Sequence, residues 1–105
     1  MKIKILLSTV LASSLLLGAG TASALDGAEL YKTKTCFSCH GQDAKTPIMP
    51  IYPKLAGQNA EYAAAQMRDI KSGARANGQS AAMKGVMHLL NDDEIVAIAE
   101  WLATL

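Results

Sequence analysis

The chain has 105 residues, half of them apolar, with ten lysines and arginines against nine acidic residues. A formal net charge of +1 excludes the strongly basic character that nucleic-acid binding rests on, so no nucleic-acid partner is expected. Much of the apolar and positive excess lies at the start. Beyond residue 24 the balance is eight basic against nine acidic residues, a net of −1.

Residues 1–24 read as a secretory signal peptide. Lys2 and Lys4 form a positive start, 5–17 is mostly apolar, and Ala22-Ser23-Ala24 supplies a small-residue cleavage pattern. The apolar run is shorter than the ~20 residues a spanning helix needs, so no stable membrane insertion is expected after cleavage. The expected product is one domain over residues 25–105, exported to the bacterial periplasm or its equivalent. With one tryptophan, one phenylalanine and three tyrosines in the whole sequence, so short a domain buries a marginal core by itself. A covalently held group at its centre would supply what is missing.

Asp26 can cap a first helix over about 27–35, with Ala28, Leu30 and Tyr31 as candidate inward residues and Lys32 and Lys34 at polar positions. That helix delivers the chain into Cys36-Phe37-Ser38-Cys39-His40, which contains the only two cysteines. Cys-x-x-Cys-His is the attachment signature of a c-type haem. Each thiol adds across a porphyrin vinyl group to give a thioether, and the histidine becomes the fifth iron ligand. Export supports this reading, because such attachment takes place after the chain has crossed a membrane with its thiols reduced. Three other readings of the motif fit less well. A thioredoxin-like disulfide normally opens a helix within a strand and helix alternation, and no strand-like stretch precedes Cys36. Structural zinc needs four protein ligands, and only the widely separated His40 and His88 remain to complete a set. A plain structural disulfide leaves His40 unexplained.

Residues 41–59 read as a loop punctuated by Gly41, Pro47, Pro50, Pro53 and Gly57. So long a loop in a small domain suits the wrapping of a large flat cofactor. The carbonyl of Pro47 or Pro50 is expected to accept a hydrogen bond from the His40 ring, with simple loop stiffening as the alternative. Residues 59–72 are helical by composition, with Asn59 as cap, Gly73 as stop and Ala63, Met67 and Ile70 on one face. Met67 is expected in the core beside the haem. Between residues 73 and 90 the chain loosens again around Gly73, Gly78 and Gly85, and here sit Met83, Met87 and His88, the candidates for a sixth iron ligand. A thioether in that position raises the reduction potential relative to a second histidine. The last helix opens with Asn91 and Glu94 as a capping box and carries Ile95, Ile98, Ala99, Leu102 and Leu105 at helical spacing. Trp101 lies beside that stripe and is expected to pack on the first helix.

The Cys36 to His40 motif behind a short helix, the phrase Tyr52-Pro53-Lys54-Leu55-Ala56-Gly57-Gln58, Tyr62 with Gln66, and Met83 ahead of Leu90-Asn91-Asp92-Asp93-Glu94-Ile95 together resemble the class I c-type cytochromes. The branch they are most similar to is the small bacterial cytochrome c4 and c553 type, over essentially all of residues 26–105. The resemblance implies an all-α fold of three to four helices wrapped around one covalent haem c, with crossing first and last helices and one haem edge exposed. It also implies a methionine ligand eight residues before the cap of the last helix, followed by a small residue and glycine. Counting back from Asn91 reaches Met83, followed by Lys84-Gly85, with Met87 as second choice and His88 behind both. Two departures stand out. The diheme members repeat this unit, whereas this chain has one haem motif, and the segment 46–53 is longer than the pattern, which leaves open which proline faces His40 and whether Met49 reaches the haem pocket.

The expected function is one-electron transfer between redox partner proteins such as a membrane oxidase, a reductase or a periplasmic dehydrogenase. Axial ligation by His40 and Met83 would keep the iron closed. No acid, base or nucleophile is arranged for catalysis, so the chain is not expected to be an enzyme. Three other roles stand as alternatives: the haem c subunit of a complex such as a flavocytochrome c sulfide dehydrogenase, a haem sensor with an open sixth site, and peroxide reduction, which would need an open iron and a distal acid or base. Lys32, Lys34, Lys45, Lys54 and Lys84 offer a docking ring, although ordinary solvated lysines are the simpler reading.

Overall fold

The computed structural model describes residues 25–105, and the expected signal peptide lies outside them. Five helices follow one another: α1 (Gly27–Thr33), α2 (Phe37–His40), α3 (Ala60–Ser72), α4 (Ser80–Met87) and α5 (Asp92–Ala103). No strand occurs among the described residues. The architecture is the all-helical one expected.

Each long helix starts where its side chains can satisfy the free N–H groups of its first turn. Asp26 accepts from the amides of Ala28 and Glu29, Asn59 from that of Tyr62. Asn91 and Glu94 form the reciprocal capping box, while Asp92, Asp93 and Glu94 place negative charge at the positive end of α5. Gly73 closes α3 in the left-handed conformation at φ 92°. Arg68 and Asp92 link α3 to the start of α5 through paired bonds of 2.5 and 2.9 Å, but the pair is exposed and so adds little.

Helix α5 is the centre of the packing. It lies against α1 and α3, and α3 also packs on α4. Ile95, Ile98, Ala99 and Leu102 are buried along it, together with Tyr31 from α1 and Ala63, Ala64, Met67 and Ile70 from α3. Each of the larger apolar side chains contributes roughly 1.5–3 kcal/mol by leaving water. The stripe ends at Leu102, because the helix stops at Ala103 and Leu105 is left exposed. Helices α1 and α5 meet at Gly27, where a Cβ would stand 2.2 Å from the Ala97 carbonyl oxygen and 2.7 Å from the Trp101 Cβ. Only a glycine permits that approach. Trp101 packs on Tyr31 as expected, with ring centroids 4.9 Å apart at 50°.

Two stretches differ from their expectations. Helix α1 ends at Thr33, and Thr35 takes φ 66° to turn the chain sharply into α2. Residues 73–90, expected to be loose, contain α4. Gly85 lies inside that helix, where the ~1 kcal/mol propensity cost of glycine is outweighed by the anchoring of Met87 and Ser80 in the interior. Lys71 adds a bond from its ammonium to the Leu90 carbonyl, which ties α3 to the end of that segment.

Candidate haem site

Helix α2 is a single turn, and its shortness is what brings the motif together. The amide of Cys36 bonds to Tyr31 O at 3.0 Å, which fixes the start of the turn on α1, and His40 N bonds back to Cys36 O at 3.1 Å. Side chains three and four apart on a helix share a face. Cys36, Cys39 and His40 are therefore presented together by one turn, and both thiols are free. Cys36 is buried and Cys39 half-buried. Burial pushes the Cys36 thiol up to about 11, so it stays protonated at neutral pH.

His40 is buried, and its Nδ1 lies 2.8 Å from the carbonyl oxygen of Pro53. A carbonyl only accepts, so Nδ1 carries the proton and donates. Nε2 is then the nitrogen with a free lone pair. Burial lowers the pKa of the ring, while the bond to Pro53 pulls it the other way. A neutral imidazole held by its far nitrogen is the form that binds a metal, with the carbonyl setting ring orientation.

The acceptor is Pro53 and not Pro47 or Pro50, which corrects the sequence expectation. The reason is long-range: the amides of Leu55 and Ala56 both bond to Ala44 O, at 2.9 and 3.1 Å, and that clamp carries Pro53 back over the histidine. Ile48 N bonds to Cys39 O at 3.1 Å, and Gly57 N ties the loop's far end to Leu102 O of α5 at 2.8 Å. Gly41, directly after the histidine, has φ 86°, and a Cβ there would lie 2.1 Å from Thr46 O. Its carbonyl accepts from the Tyr31 hydroxyl at 2.5 Å and from Ala44 N at 3.2 Å. The role of Tyr31 in holding this turn was not read from the sequence, because the bond joins residues ten apart across a helix boundary.

The candidate sixth ligands lie on and just after α4. Met83 is half-buried against the core, whereas Met87, one turn on, is wholly enclosed and packs as core. His88 is exposed at the end of that helix. Met49 is half exposed, away from the interior to which a pocket role would assign it, and Met67 is buried as expected. Among the described residues no group of three or more His, Cys, Asp and Glu side chains forms a metal-holding cluster. Two free thiols beside a buried, neutral imidazole, its Nδ1 already engaged, fit covalent haem c.

The profile of the cytochrome c family matches residues 24–105. The chain is 37% identical over 101 residues to cytochrome c4 of Pseudomonas aeruginosa, covering 96% of this chain and 48% of that protein. It is 35% identical over 88 residues to a thiosulfate dehydrogenase electron acceptor of Stutzerimonas stutzeri, covering 84% of this chain and 40% of that one. A shorter relative, cytochrome c-554(548) of Halomonas halodenitrificans, is 36% identical over 73 residues and is covered over 87% of its length. The chain thus spans less than half of the first two relatives and most of the third. It belongs to the cytochrome c family, whose domain implies covalently bound haem c. Within that family its similarity to several cytochromes c4 supports a class I c-type cytochrome of that type.

Proposed function

We propose that residues 25–105 are the mature form of a periplasmic single-haem cytochrome that moves one electron at a time between redox partner proteins, its iron held axially by His40 and Met83. Haem c, when bound, supplies the one-electron couple. Cys36 and Cys39 would hold it through thioethers, His40 would offer Nε2, and Met83 would offer its sulfur. The observation that carries this reading is the Nδ1 to Pro53 bond, which leaves Nε2 as the free nitrogen on the same turn as both thiols. Met83 is preferred to Met87 because it stands eight residues before Asn91 and its side chain is only partly buried, whereas Met87 is enclosed by core. A thioether ligand sets a higher potential than a second imidazole would. The leader-like 1–24 segment and the absence of a long apolar helix among residues 25–105 support a free periplasmic form.

The test is the visible spectrum of ferric and ferrous protein with and without carbon monoxide. The expected result is a low-spin spectrum with a methionine-to-iron band and no response to the gas. A gas-induced shift in native protein would instead indicate an open sixth site, as a sensor needs. Met83→Ala should remove the band and lower the potential. Met87→Ala should leave both and cost about 2–5 kcal/mol of stability as a core truncation. The reverse pattern would reassign the ligand. A second reading, in which this chain accepts electrons as part of a dehydrogenase system, draws on its similarity to the thiosulfate dehydrogenase electron acceptor. Stable co-purification with a catalytic partner would favour it.

A further inference from the structure

The segment from Cys36 to Gly41 carries both thiols and the imidazole, and one residue of α1 reaches both of its ends. The main-chain carbonyl of Tyr31 accepts from Cys36 N at 3.0 Å, and its hydroxyl donates to Gly41 O at 2.5 Å. The first contact belongs to a helix-end motif. Cys36 N returns to Tyr31 O and Thr35 N to Lys32 O, with Thr35 left-handed at φ 66° between the helix and the turn. A glycine normally holds that position, because a Cβ crowds the backbone there and a β-branched one does so most. Thr35 is exposed, so burial of its side chain does not offset the strain. A residue keeps such a conformation only where its surroundings over-determine it. Tyr31 supplies that constraint: it is buried, its ring lies on Trp101 of α5, and its carbonyl and hydroxyl are both spent on the two ends of the segment.

We propose that the Tyr31 hydroxyl is a positioning group for the axial imidazole: it fixes the far end of the haem-bearing turn, keeps the His40 Nδ1 bond to Pro53 aligned, and thereby sets the reduction potential. The proposal rests on the carrier reading above and deepens it. Two anchors act on the ring. Pro53 O takes the Nδ1 proton at 2.8 Å from the loop side, and Gly41, the next residue, ties down the main chain that carries the ring. A glycine carbonyl turns easily, so the direction of Gly41 O depends on its partners, the Tyr31 hydroxyl from α1 and Ala44 N from the loop. Ala44 moves with the loop, since its own carbonyl holds the amides of Leu55 and Ala56. The hydroxyl is thus the partner that refers this end of the turn to the helical frame. Without it the turn follows the loop and the Nδ1 bond loosens. A looser bond makes the imidazole a less basic ligand, which favours the reduced state and raises the potential.

The test compares haem-loaded wild type with Tyr31→Phe, which removes only the donor, and with Trp101→Phe, which loosens the ring packing and leaves the hydroxyl bond in place. Three quantities are measured: the reduction potential, the unfolding midpoint, and the solvent exchange of the His40 Nδ1 proton by NMR of nitrogen-labelled ferrous protein. In Tyr31→Phe the redox equilibrium with a fixed mediator should move about threefold toward the reduced form. The Nδ1 proton should exchange about tenfold faster. Trp101→Phe should lower the midpoint and leave the other two quantities as in the wild type, a split that a merely structural tyrosine does not give. Tyr31→Phe with wild-type potential and exchange, its spectrum still low-spin and closed to carbon monoxide, overturns the positioning role and leaves the carrier reading intact. Equal shifts in both variants overturn it too, because packing alone would then account for them. Carbon monoxide binding by the native wild type overturns the carrier reading, and the proposal with it. Where Tyr31→Phe takes up haem poorly, the comparison is made in a Thr35→Gly background, which removes the strained threonine and should raise the unfolding midpoint without moving the potential by itself.

Discussion

The α1 and α5 pair and the 41–59 loop lie side by side in the chain's economy of contacts, yet they are held in different ways. The helical pair is fixed by its own chemistry: caps at Asp26 and Asn91, Gly27 against Ala97, and a buried stripe from Ile95 to Leu102. The loop has no such repeat. Single backbone bonds at Ile48, Leu55, Ala56 and Gly57 and one bond to a histidine ring hold its course. The comparison teaches that the frame is held by local caps and a helical repeat, whereas the loop's course depends on a few long-range bonds, one of them to His40.

The largest break in that comparison comes from removing the attachment. Replacing both Cys36 and Cys39 by alanine should leave no haem that survives acid-acetone extraction. Limited proteolysis of this variant should cut first within 41–59, while the α1 and α5 contact persists longest. First cuts in α5 would show that the frame depends on the cofactor as much as the loop does.

A matched pair of glycine substitutions sharpens it further. Gly27→Ala drives a Cβ into Ala97 and Trp101, and Gly41→Ala drives one into Thr46 O while forcing φ 86° on an L residue. Each should cost about 1–3 kcal/mol in denaturant unfolding. They should differ in what else they change. The first should leave the visible spectrum of the bound haem unaltered, and the second should disturb it, because Gly41 sets the turn that carries His40.

How far each region could be read from sequence follows the same division. The caps at Asp26, Asn59, Asn91 and Glu94, the α5 stripe and the Trp101 contact were legible because they are local patterns or helical repeats. The Cys36 to His40 cluster was legible because spacing alone places its members on one turn. Pro53 was not, because Pro47, Pro50 and Pro53 have the same local chemistry and only the distant bonds to Ala44 O select among them. Helix α4 was hidden by Gly85, which reads as punctuation although it lies inside the helix and a Cβ there would meet nothing within 4 Å, and by Gly78, whose φ of 56° does turn the chain just before the helix begins. The end of α1 was missed for a related reason, since a positive φ at Thr35 carries no sequence signal of the kind a glycine gives.

A smaller effect tests the frame alone. Asn91→Ala removes the acceptor for Glu94 N and breaks the capping box, whose other bond runs from Asn91 N to Glu94. The expected loss is about 1 kcal/mol. The reading is the unfolding midpoint, and no change in the haem spectrum should accompany it.

The smallest effect lies where the two regions join. Tyr31 is buried on α1, packs on Trp101 of α5, and donates its hydroxyl proton to Gly41 O beside the histidine. Tyr31→Phe keeps the ring packing and removes only the donor. Gly41 O retains the bond from Ala44 N, so the cost should be about 0.5–1 kcal/mol at neutral pH. Burial, followed by repulsion from Cys36 and Asp43, raises the tyrosine pKa from 10.0 to about 12. Its neutral form is therefore the one the folded state favours. The stability this supplies is fully present below pH 10, where the hydroxyl is protonated in both states, and is lost as pH rises through about 12, because the unfolded chain ionises first. Unfolding midpoints measured across that window should fall more steeply for the wild type than for the phenylalanine variant. Parallel slopes would mean that the hydroxyl is ionised as readily in the folded protein as in the open chain, and that its bond to Gly41 O adds nothing to the join between frame and loop.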